Sequence, residues 1–392
     1  MVLSSLMRPP NDKSHCIFMI AGEASGDLHG ANLVKALKRK KQNIVFSGIG
    51  GKAMQDAGVE IVVDAATLSV VGITEVLSKL PGILGGMAAA KSFLKNARPD
   101  LLILIDFPDF NLRIASVAKK LHIPVLFYIS PQIWAWRSGR VTKIGRLVDH
   151  IAVILPFEAT FYRKHHIPVT FVGHPLLDEF KDRPIPFPGP LLEKSHPPVI
   201  GLLPGSRESE IFRLLPVMLQ AARILSRQMD IRFVVSMAPG APHDAIKALC
   251  LPFQDELRLE IDPDGARSVF AKTHLVVAAS GTVTLEAAIA GTPVVIIYKV
   301  SPISYRLGKA LIKVKHIGLV NLIADREIVP ELIQDRASPE LIAETVLKLV
   351  NTPSALDAIR RAFVDVRNRL GGPGASSRVA DIALNMLEGH TP

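Results

Sequence analysis

Aspartate residues that follow a run of aliphatic residues are the first candidates for chemistry in this sequence. Asp106 comes directly after the aliphatic run Leu101–Ile105, and Asp109 follows soon after it. A carboxylate held at the end of a buried strand can act as a general base. Asp109 lies where a helix is predicted to begin, so capping that helix is the simpler role for it. We therefore predict that Asp106 is the catalytic base.

Two further motifs have residue types that suit an anionic ligand such as a phosphate. Arg207 follows the apolar run 199–203 and a short turn, and its planar guanidinium pairs well with phosphate oxygens. Residues 280–282 precede a predicted helix, whose first N–H groups are free to bind an anion. Glu286, about one turn into that helix, suits hydrogen bonds from ribose hydroxyls. Taken alone, Glu286 is better explained as a surface residue that the helix dipole favours. Arg207 could also be a surface residue, but a cation near a helix start is unfavourable for the dipole, which mildly favours an anionic partner.

A glycine-rich turn, residues 22–30, links the first predicted strand to the first predicted helix. Its sequence fits neither the G-x-G-x-x-G fingerprint of dinucleotide-binding folds nor the G-K-[ST] of a P-loop. Glycine lets a backbone approach a ligand, but it also lets a helix pack tightly against a strand. The residues therefore support a ligand-binding turn and a tight turn with Asp27 at the helix start equally well.

The elements that would position these residues alternate between strands and helices. In the first part of the chain the predicted strands are Cys16–Ala21, Ile44–Phe46, Leu101–Ile105, Val125–Ile129 and His150–Ile154, and a helix covers about Leu28–Lys40. A second series consists of Val199–Leu203, Phe233–Ser236, Leu275–Ala279 and Val294–Tyr298, with helices alone from about Pro339. This alternation indicates parallel sheets. Ligands of such sheets bind at the carboxyl ends of the strands.

A proline-rich stretch separates the two series of strands. Residues 181–198 contain six prolines, a density that neither a helix nor a central strand tolerates, so we predict a linker. The predicted fold is α/β, with two Rossmann-like domains whose parallel sheets face a central cleft, and with a helical C-terminus. We place the first domain at 16–180 and the second at 199–392, and residues 1–15 form an extension outside both.

The composition favours anionic partners and argues against several classes of protein. The 392-residue chain carries 46 Lys and Arg against 36 Asp and Glu, and this balance favours phosphorylated substrates or acidic lipids. Only 6% of the residues are aromatic, so we expect no nucleic-acid partner that needs stacking platforms. Cys16 and Cys250 form no CxxC pair, and the histidines show no metal-ligand spacing. We therefore expect neither a disulfide nor a bound metal.

Residues 67–86 contain an apolar stripe that has two interpretations. The residues of the stripe are Val70, Val71, Ile73, Val76, Leu77, Leu80 and Leu84. A helix that packs on the sheet is the default explanation for such a stripe. The alternative is an exposed patch that binds lipid. Basic residues occur in two runs, Arg137, Arg140, Lys143, Arg146 and Arg306, Lys309, Lys313. A solvated surface is the default explanation for such runs, and contact with a phosphate or an anionic lipid is the alternative.

We expect neither a transmembrane segment nor a signal peptide. No stretch reaches the roughly 18 uncharged apolar residues that a spanning helix needs. Charged residues and two prolines interrupt the first 15 residues before a long apolar run develops. The expected location is the cytoplasm, in soluble or membrane-peripheral form.

Several motifs of this chain, in the same order, resemble those of the lipid-A-disaccharide synthase family. They are IAGEASGD at 20–27, DFPDFN at 106–111, YISPQIWAW at 128–136, VGHPL at 172–176, LPGSR at 203–207, ASGTVTLE at 279–286 and Asn321 within LVNL. Together they are highly specific and extend from about Ile17 to Asn321. The first 15 residues or so lie outside the resemblance.

The resemblance implies a GT-B fold and an inverting glycosyl transfer that uses no metal and no other cofactor. The implied reaction joins UDP-2,3-diacylglucosamine to 2,3-diacylglucosamine 1-phosphate, releases UDP and forms a β-1,6-linked disaccharide in lipid A biosynthesis. Asp106 would be the base for the acceptor 6-hydroxyl, and Arg207 would also act in catalysis. The residues assigned to the UDP-sugar are Gly205, Ser206, Arg207, Ser280, Gly281, Thr282, Glu286 and Asn321. Those assigned to the acceptor side of the cleft are Glu23, Ser25, Gly26 and Asp27.

The resemblance also implies the partners and the location. The two substrates are acylated, so a peripheral enzyme at the anionic cytoplasmic face of the inner membrane of a Gram-negative-type bacterium is expected. A homodimer is compatible with this, and no nucleic acid is involved.

Two other kinds of function are compatible with the same fold. One is a UDP-N-acetylglucosamine 2-epimerase or a peptidoglycan-type N-acetylglucosaminyltransferase, and the other is a non-catalytic sugar-nucleotide sensor. By resemblance, the motif at 128–136 argues against the epimerase. Asp106 together with Arg207 argues against the sensor. Release of UDP only in the presence of an acyl-sugar acceptor would distinguish the proposed enzyme from both.

Overall fold

The chain folds into two compact units. The first comprises Met1–Pro175 and Gly372–Pro392, and the second comprises Leu176–Gly371. The computed structural model describes residues 14–68, 75–136, 138–181, 197–301, 305 and 314–390.

A parallel sheet with seven strands in the described residues forms the centre of the first unit. Its strands are β1 (His15–Ala21), β2 (Ile44–Gly50), β3 (Glu60–Asp64), β4 (Leu101–Ile105), β5 (Val125–Tyr128), β6 (His150–Val153) and β7 (Val169–Phe171). They lie in the order β3-β2-β1-β4-β5-β6-β7, and each neighbouring pair is parallel. The helices are α1 (Ala24–Lys40), α2 (Lys52–Asp56), α3 (Glu75–Ala97), α4 (Pro108–Lys120), α5 (Ile133–Trp136), α6 (Val141–Leu147) and α7 (Pro156–Arg163).

Helices cover both faces of this sheet because its central strands are apolar on both sides. Leu102 and Leu104 of β4 pack into one core together with residues of α3 and α4. Leu101 and Ile103 pack into the opposite core together with residues of α1. All of β4 is buried. This double burial explains why the strand reads as a continuous aliphatic run rather than as an alternating pattern.

The second unit also has a parallel sheet, with six strands in the described residues. Its strands are β8 (Val199–Leu203), β9 (Arg232–Ser236), β10 (Arg258–Asp262), β11 (Leu275–Ala279), β12 (Val294–Tyr298) and β13 (Glu331–Ile333), in the order β10-β9-β8-β11-β12-β13. Its helices are α8 (Leu176–Lys181), α9 (Glu208–Ser226), α10 (His243–Cys250), α11 (Ala266–Lys272), α12 (Val283–Ala290), α13 (Leu319–Ala324), α14 (Pro339–Val350) and α15 (Pro353–Arg369). The repeated strand–helix order therefore produces a Rossmann-like sheet in each unit.

The second unit begins before the predicted linker. Helix α8 packs against α12 within the second unit, so the boundary lies at Pro175 and Leu176. Residues 182–196, which make up most of the predicted linker, lie outside the described residues.

The last helix, α16 (Ala375–Leu387), packs in the first unit. Its apolar side, which includes Val379, joins the same core as α1. At the surface, the Lys40 Nζ atom lies 2.6 Å from Asp381 Oδ1. All of 199–392 was predicted to belong to the second domain, whereas the structure places residues 372–392 with the first unit. An apolar stripe shows that a helix packs, but it does not show against which sheet.

Helix α3 contains part of the predicted apolar stripe. The stripe residues that lie outside the described part of the chain are Val70, Val71 and Ile73, and the side chains of Val76, Leu77 and Leu80 also lie outside it. Leu84 is 57% exposed, whereas Met87 and Phe93 farther along the helix are buried in the core. The C-terminal part of α3 therefore packs on the sheet, and Leu84 lies at the surface. The membrane role of the stripe stays a prediction.

Among the described residues, no helix combines the length and the apolar character that a membrane crossing requires.

Candidate active site

Asp106 lies at the carboxyl end of β4, in the left-handed backbone conformation that residues other than glycine rarely adopt. Asp106 and Phe107 have φ angles of 46° and 48°. Each such residue costs about 1–3 kcal/mol and persists only where its surroundings hold it. Asn111 Nδ2 provides such support, because it donates to the backbone oxygen of Asp106 at 2.6 Å and to that of Ile105 at 3.3 Å. The DFPDFN motif therefore holds its first aspartate through its own asparagine.

The glycine-rich turn after β1 fits directly against this motif. A Cβ atom at Gly22 would collide with the ring of Phe107. Gly26 is buried, but a Cβ atom there would make only an ordinary contact with the Cβ of Ala21, at 3.4 Å. Gly22 therefore allows close packing of the turn, while Glu23 and Ser25 are exposed.

The environment of Asp106 makes its carboxylate more basic than an ordinary aspartate. Burial and, to a smaller extent, the negative charge of Glu23 raise the pKa of Asp106, and a hydrogen bond from the Phe107 N–H opposes them, so that the pKa is about 6. A group with a pKa just below neutrality is ionised at pH 7 and still accepts a proton readily. Asp106 is therefore suited to general base catalysis.

Asp109 has a different environment from Asp106. Helix α4 begins at Pro108 with Phe107 as its N-cap, so Asp109 lies in the first turn and is not the predicted cap. Its carboxylate is 68% exposed and lies 2.7 Å from Arg140 Nη1. An exposed ion pair of this kind contributes little to stability.

Asp27 has a structural role that the sequence analysis did not predict. Its carboxylate accepts hydrogen bonds from the backbone N–H groups of Gly51, Ala53 and Met54, at 2.7, 2.9 and 3.1 Å. These groups lie at the start of α2, where a helix leaves its first N–H groups without internal partners. Asp27 therefore joins α1 to α2, and its assignment to the acceptor side of the cleft has no support in this geometry.

Substitution Asp27→Asn should lower the stability of the first unit by about 1–3 kcal/mol, because an amide offers one acceptor oxygen to three N–H donors. The urea midpoint measured by circular dichroism should fall. Asp56→Asn is the matched control, since Asp56 is exposed and forms only an i,i+4 ion pair with Lys52 in the same region. Equal midpoints for the two variants would contradict the bracing role of Asp27.

Glu158 is a buried carboxyl that the sequence analysis did not single out. Its Oε1 accepts from Trp134 Nε1 at 3.0 Å, and its Oε2 accepts from the Leu155 N–H at 3.1 Å. Burial raises the pKa of Glu158 to about 7. The Trp134 ring also packs edge-on against Phe157, with 4.7 Å between the ring centres. These contacts hold the 128–136 motif at the carboxyl edge of the sheet.

Two histidines of the first unit are uncharged at neutral pH. Burial lowers the pKa of His29 to about 4. Burial also lowers the pKa of His174 to about 3, with a further contribution from His29. His174 belongs to the VGHPL motif, so this motif adds no positive charge to the first unit.

The second unit has a cavity of about 430 Å³ at the carboxyl ends of its strands. The segments that line it follow β8, β9, β10 and β11. Among its lining residues are seven of the residues assigned to the UDP-sugar: Gly205, Ser206, Arg207, Ser280, Gly281, Thr282 and Glu286. The sheet thus brings together residues that are about 80 positions apart in the sequence, as expected for an open parallel sheet.

The turn after β8 presents Arg207 at the cavity. Gly205 has φ 109°, and a Cβ atom there would collide with Glu210. Arg207 Nη1 donates to Glu210 Oε1 at 3.2 Å, and the Arg207 side chain is 68% exposed. Since an exposed pair of this kind is weak, the guanidinium can exchange Glu210 for a phosphate.

Glu286 is half-buried in the cavity wall. Burial and, to a smaller extent, the charge of Glu179 raise the pKa of Glu286, and Arg267 opposes them, so that the pKa is about 7. The ionisation of Glu286 therefore depends on its neighbours in α8 and α11.

Arg267 is a cavity residue that the sequence analysis missed. Its Nη1 and Nη2 atoms donate to the backbone oxygen of Glu179 at 3.2 and 3.3 Å. Its guanidinium carbon lies 4.2 Å from the ring centre of Phe180. Arg267 follows β10 after Gly265 as Arg207 follows β8 after Gly205, but β10 was not among the predicted strands. Arg267 is thus a second cation at the cavity, and it is held in place from two sides.

Asn321 was assigned to the UDP-sugar, but it is fully buried and is not among the residues that line the cavity. Its Nδ2 donates to Val329 O at 2.9 Å and to Glu331 Oε1 at 2.8 Å. Its Oδ1 accepts from the N–H groups of Ile328 and Val329 at 2.8 and 3.1 Å. An amide side chain has two donors and two lone pairs. All four are used, so the geometry supports a bracing role for Asn321 instead of ligand contact.

Comparisons with known proteins decide the family. A family model described as lipid-A-disaccharide synthetase matches residues 17–379. The chain belongs to this family. The lipid-A-disaccharide synthase of Syntrophus aciditrophicus (strain SB) is 46% identical over 388 residues, which cover 96% of this chain and 98% of that protein. The resemblance stated from the motifs is therefore confirmed, and the chain is a glycosyltransferase of the lipid-A-disaccharide synthetase family.

Solved structures of low sequence identity confirm the fold. The UDP-GlcNAc 2-epimerase from Neisseria meningitidis is 12% identical, with a TM-score of 0.63 over 94% of this chain and 100% of that one. The calicheamicin glycosyltransferase CalG4 is 16% identical, with a TM-score of 0.60 over 97% of this chain and 100% of that one. The predicted GT-B fold of this synthetase family member, with two Rossmann-like domains, is thus confirmed.

Proposed function

We propose that this family member joins UDP-2,3-diacylglucosamine to 2,3-diacylglucosamine 1-phosphate, with inversion at the anomeric carbon. The products are the β-1,6-linked disaccharide 1-phosphate and UDP. The observation that supports this most directly is the cavity of the second unit, in which seven residues that the resemblance assigned to the UDP-sugar lie together.

The donor side of the proposed mechanism uses the second unit. The diphosphate of UDP would lie against Arg207 and the N-terminus of α12, because negative charge grows on the diphosphate as the bond to the sugar breaks. Arg267 adds a second positive charge to the same cavity. With two guanidinium groups available, the proposed transfer needs no metal ion and no other cofactor.

The acceptor side of the proposed mechanism uses Asp106. The 6-hydroxyl oxygen of the acceptor attacks the anomeric carbon of the donor, and its proton passes to the Asp106 carboxylate. The bond between the anomeric carbon and the diphosphate oxygen breaks at the same time, and UDP leaves with the electron pair. A pKa of about 6 for Asp106 favours this proton transfer at neutral pH.

An assay with both purified substrates in buffer that contains EDTA tests the proposal. Mass spectrometry should detect the disaccharide 1-phosphate and stoichiometric UDP, and UDP release should require the acceptor. Turnover of the UDP-sugar without an acceptor would support the epimerase alternative, and tight binding of the UDP-sugar without any turnover would support the sensor. If the disaccharide formed without EDTA but not in its presence, that result would contradict the metal-free mechanism.

We further propose that the protein works as a peripheral enzyme on the anionic cytoplasmic face of a Gram-negative inner membrane, since both substrates carry acyl chains. A homodimer is compatible with this proposal. The stripe at residues 70–84 would contact lipid, and the exposure of Leu84 supports that role. The basic runs would add attraction to acidic headgroups.

The variant Leu77→Ser/Leu80→Ser should therefore co-sediment less with anionic liposomes than the wild type does. Its thermal unfolding should stay cooperative. Phe212→Ser/Leu251→Ser is the matched control, because Phe212 and Leu251 are 50% and 66% exposed apolar residues of the second unit. The control should sediment as the wild type does. A stripe variant that no longer melts cooperatively would instead show that Leu77 and Leu80 belong to the core.

A further inference from the structure

Glu331 is a buried carboxylate in the second unit that the proposed mechanism does not use. It lies on β13, which pairs with β12, and it is 7% exposed. Its Oε2 accepts from the Ile317 N–H at 2.9 Å. Its Oε1 accepts from the Gly318 N–H at 3.0 Å and from Asn321 Nδ2 at 2.8 Å. Both oxygens are thus used to hold the segment that leads into α13.

This segment is joined to the cavity wall by a hydroxyl hydrogen bond. Ser280 Oγ donates to the backbone oxygen of Ile317 at 3.2 Å. The backbone N–H of Ser280 is also fixed, because it donates to Ile297 O at 3.1 Å. Ser280 lines the cavity, whereas Glu331 and Ile317 are not among its lining residues. A chain of hydrogen bonds therefore runs from Glu331 through the peptide groups around Ile317 to the cavity wall.

We infer that Glu331 is a positioning residue for the nucleotide-sugar cavity, and that it acts through Ile317 to fix the direction in which the Ser280 hydroxyl donates. A hydroxyl has one proton and two lone pairs. While the proton of Ser280 is donated to Ile317 O, only its lone pairs remain for a ligand. Ser280 then accepts a hydrogen bond from a hydroxyl or N–H group of the nucleotide sugar, and it does not donate to a phosphate oxygen.

This role explains why a carboxylate occupies position 331. The three donors that point at it require acceptor atoms on both branches of the side chain. A glutamine would place an NH₂ group against at least one backbone N–H, and a buried donor without an acceptor is costly. Movement of Ile317 away from that clash would release the proton of Ser280. The inference rests on the proposed function, because it assigns the cavity to a nucleotide sugar.

Calorimetry with UDP and steady-state kinetics test the inference in the full-length protein. Glu331→Gln should raise the Kd for UDP and the KM for the UDP-sugar by about three- to tenfold, the range for one hydrogen bond. The kcat and the KM for the acceptor should stay unchanged. Glu327→Gln is the matched control, since Glu327 is exposed and lies between α13 and β13, close to Glu331 in the sequence. It should behave as the wild type.

A double-substitution cycle separates this role from a general loss of structure. Ser280→Ala should weaken donor binding to a similar extent, and Ser280→Ala/Glu331→Gln should be no weaker than Ser280→Ala alone. Additive losses, or unchanged donor binding in Glu331→Gln, would overturn the inference. If Glu331→Gln does not fold, Glu331→Asp replaces it in the same cycle, because it keeps the charge but withdraws the acceptors. Failure of the wild type to bind UDP would overturn the proposed function instead.

Discussion

Asp106→Asn should reduce turnover by about 10²–10⁴-fold, the usual contribution of a positioned general base. The substitution keeps the size of the side chain and removes its basicity. The affinity for UDP and the melting temperature should change little, because the UDP site is proposed in the other unit and because Asn111 bonds the backbone of residue 106, not its side chain. Single-turnover rates, UDP calorimetry and thermal melts measure the three quantities.

The matched control for this experiment is Asp109→Asn. Asp109 is exposed and pairs with Arg140, so the loss of its charge should cost far less activity. If Asp109→Asn loses turnover and Asp106→Asn retains it, the assignment of the base is wrong.

The pH profile gives an independent check of the same residue. A base with a pKa of about 6 is protonated below that pH, so the rate should rise with pH through about 6 and then level. Glu23→Gln removes the neighbouring negative charge and should lower the pKa of Asp106. The rise should then shift to lower pH, whereas an unshifted profile would show that another group is titrating.

Glu286→Ala should weaken UDP binding by about 1–3 kcal/mol, the range for loss of a buried or charged hydrogen-bond partner. The pKa of Glu286 is about 7, so its carboxylate forms as the pH rises through 7. If the ionised form accepts the ribose hydroxyls, UDP affinity should increase over that range in the wild type. Glu286→Gln should abolish this increase.

The matched control is Glu208→Ala, because Glu208 is exposed at the start of α9 and does not line the cavity. Calorimetry should give the wild-type affinity for this variant. Unchanged affinity in a folded Glu286→Ala protein would remove Glu286 from the nucleotide site.

The central strands could be predicted from the sequence because burial on both faces makes them continuous aliphatic runs. Leu101–Ile105 and Leu275–Ala279 have the same bounds in the sequence analysis and in the structure. Strands β3, β7, β10 and β13 were missed, and these are the strands at the ends of the two sheets. Strands β3 and β10 carry charged residues such as Glu60 and Arg258, as edge strands often do.

The sequence by itself determined which residues follow the central strands and therefore which chemistry lies at the carboxyl ends of the two sheets. Asp106 and Arg207 were found in this way, because parallel pairing within each sheet brings the carboxyl ends of its strands to one edge of that sheet. Only the tertiary structure decided which polar groups are already bonded within the protein. Asp27 and Asn321 bind backbone groups in their own units, while Arg267 lies at the cavity. Such roles depend on partners that folding brings near, and the spacing of residues along the chain does not encode those distances.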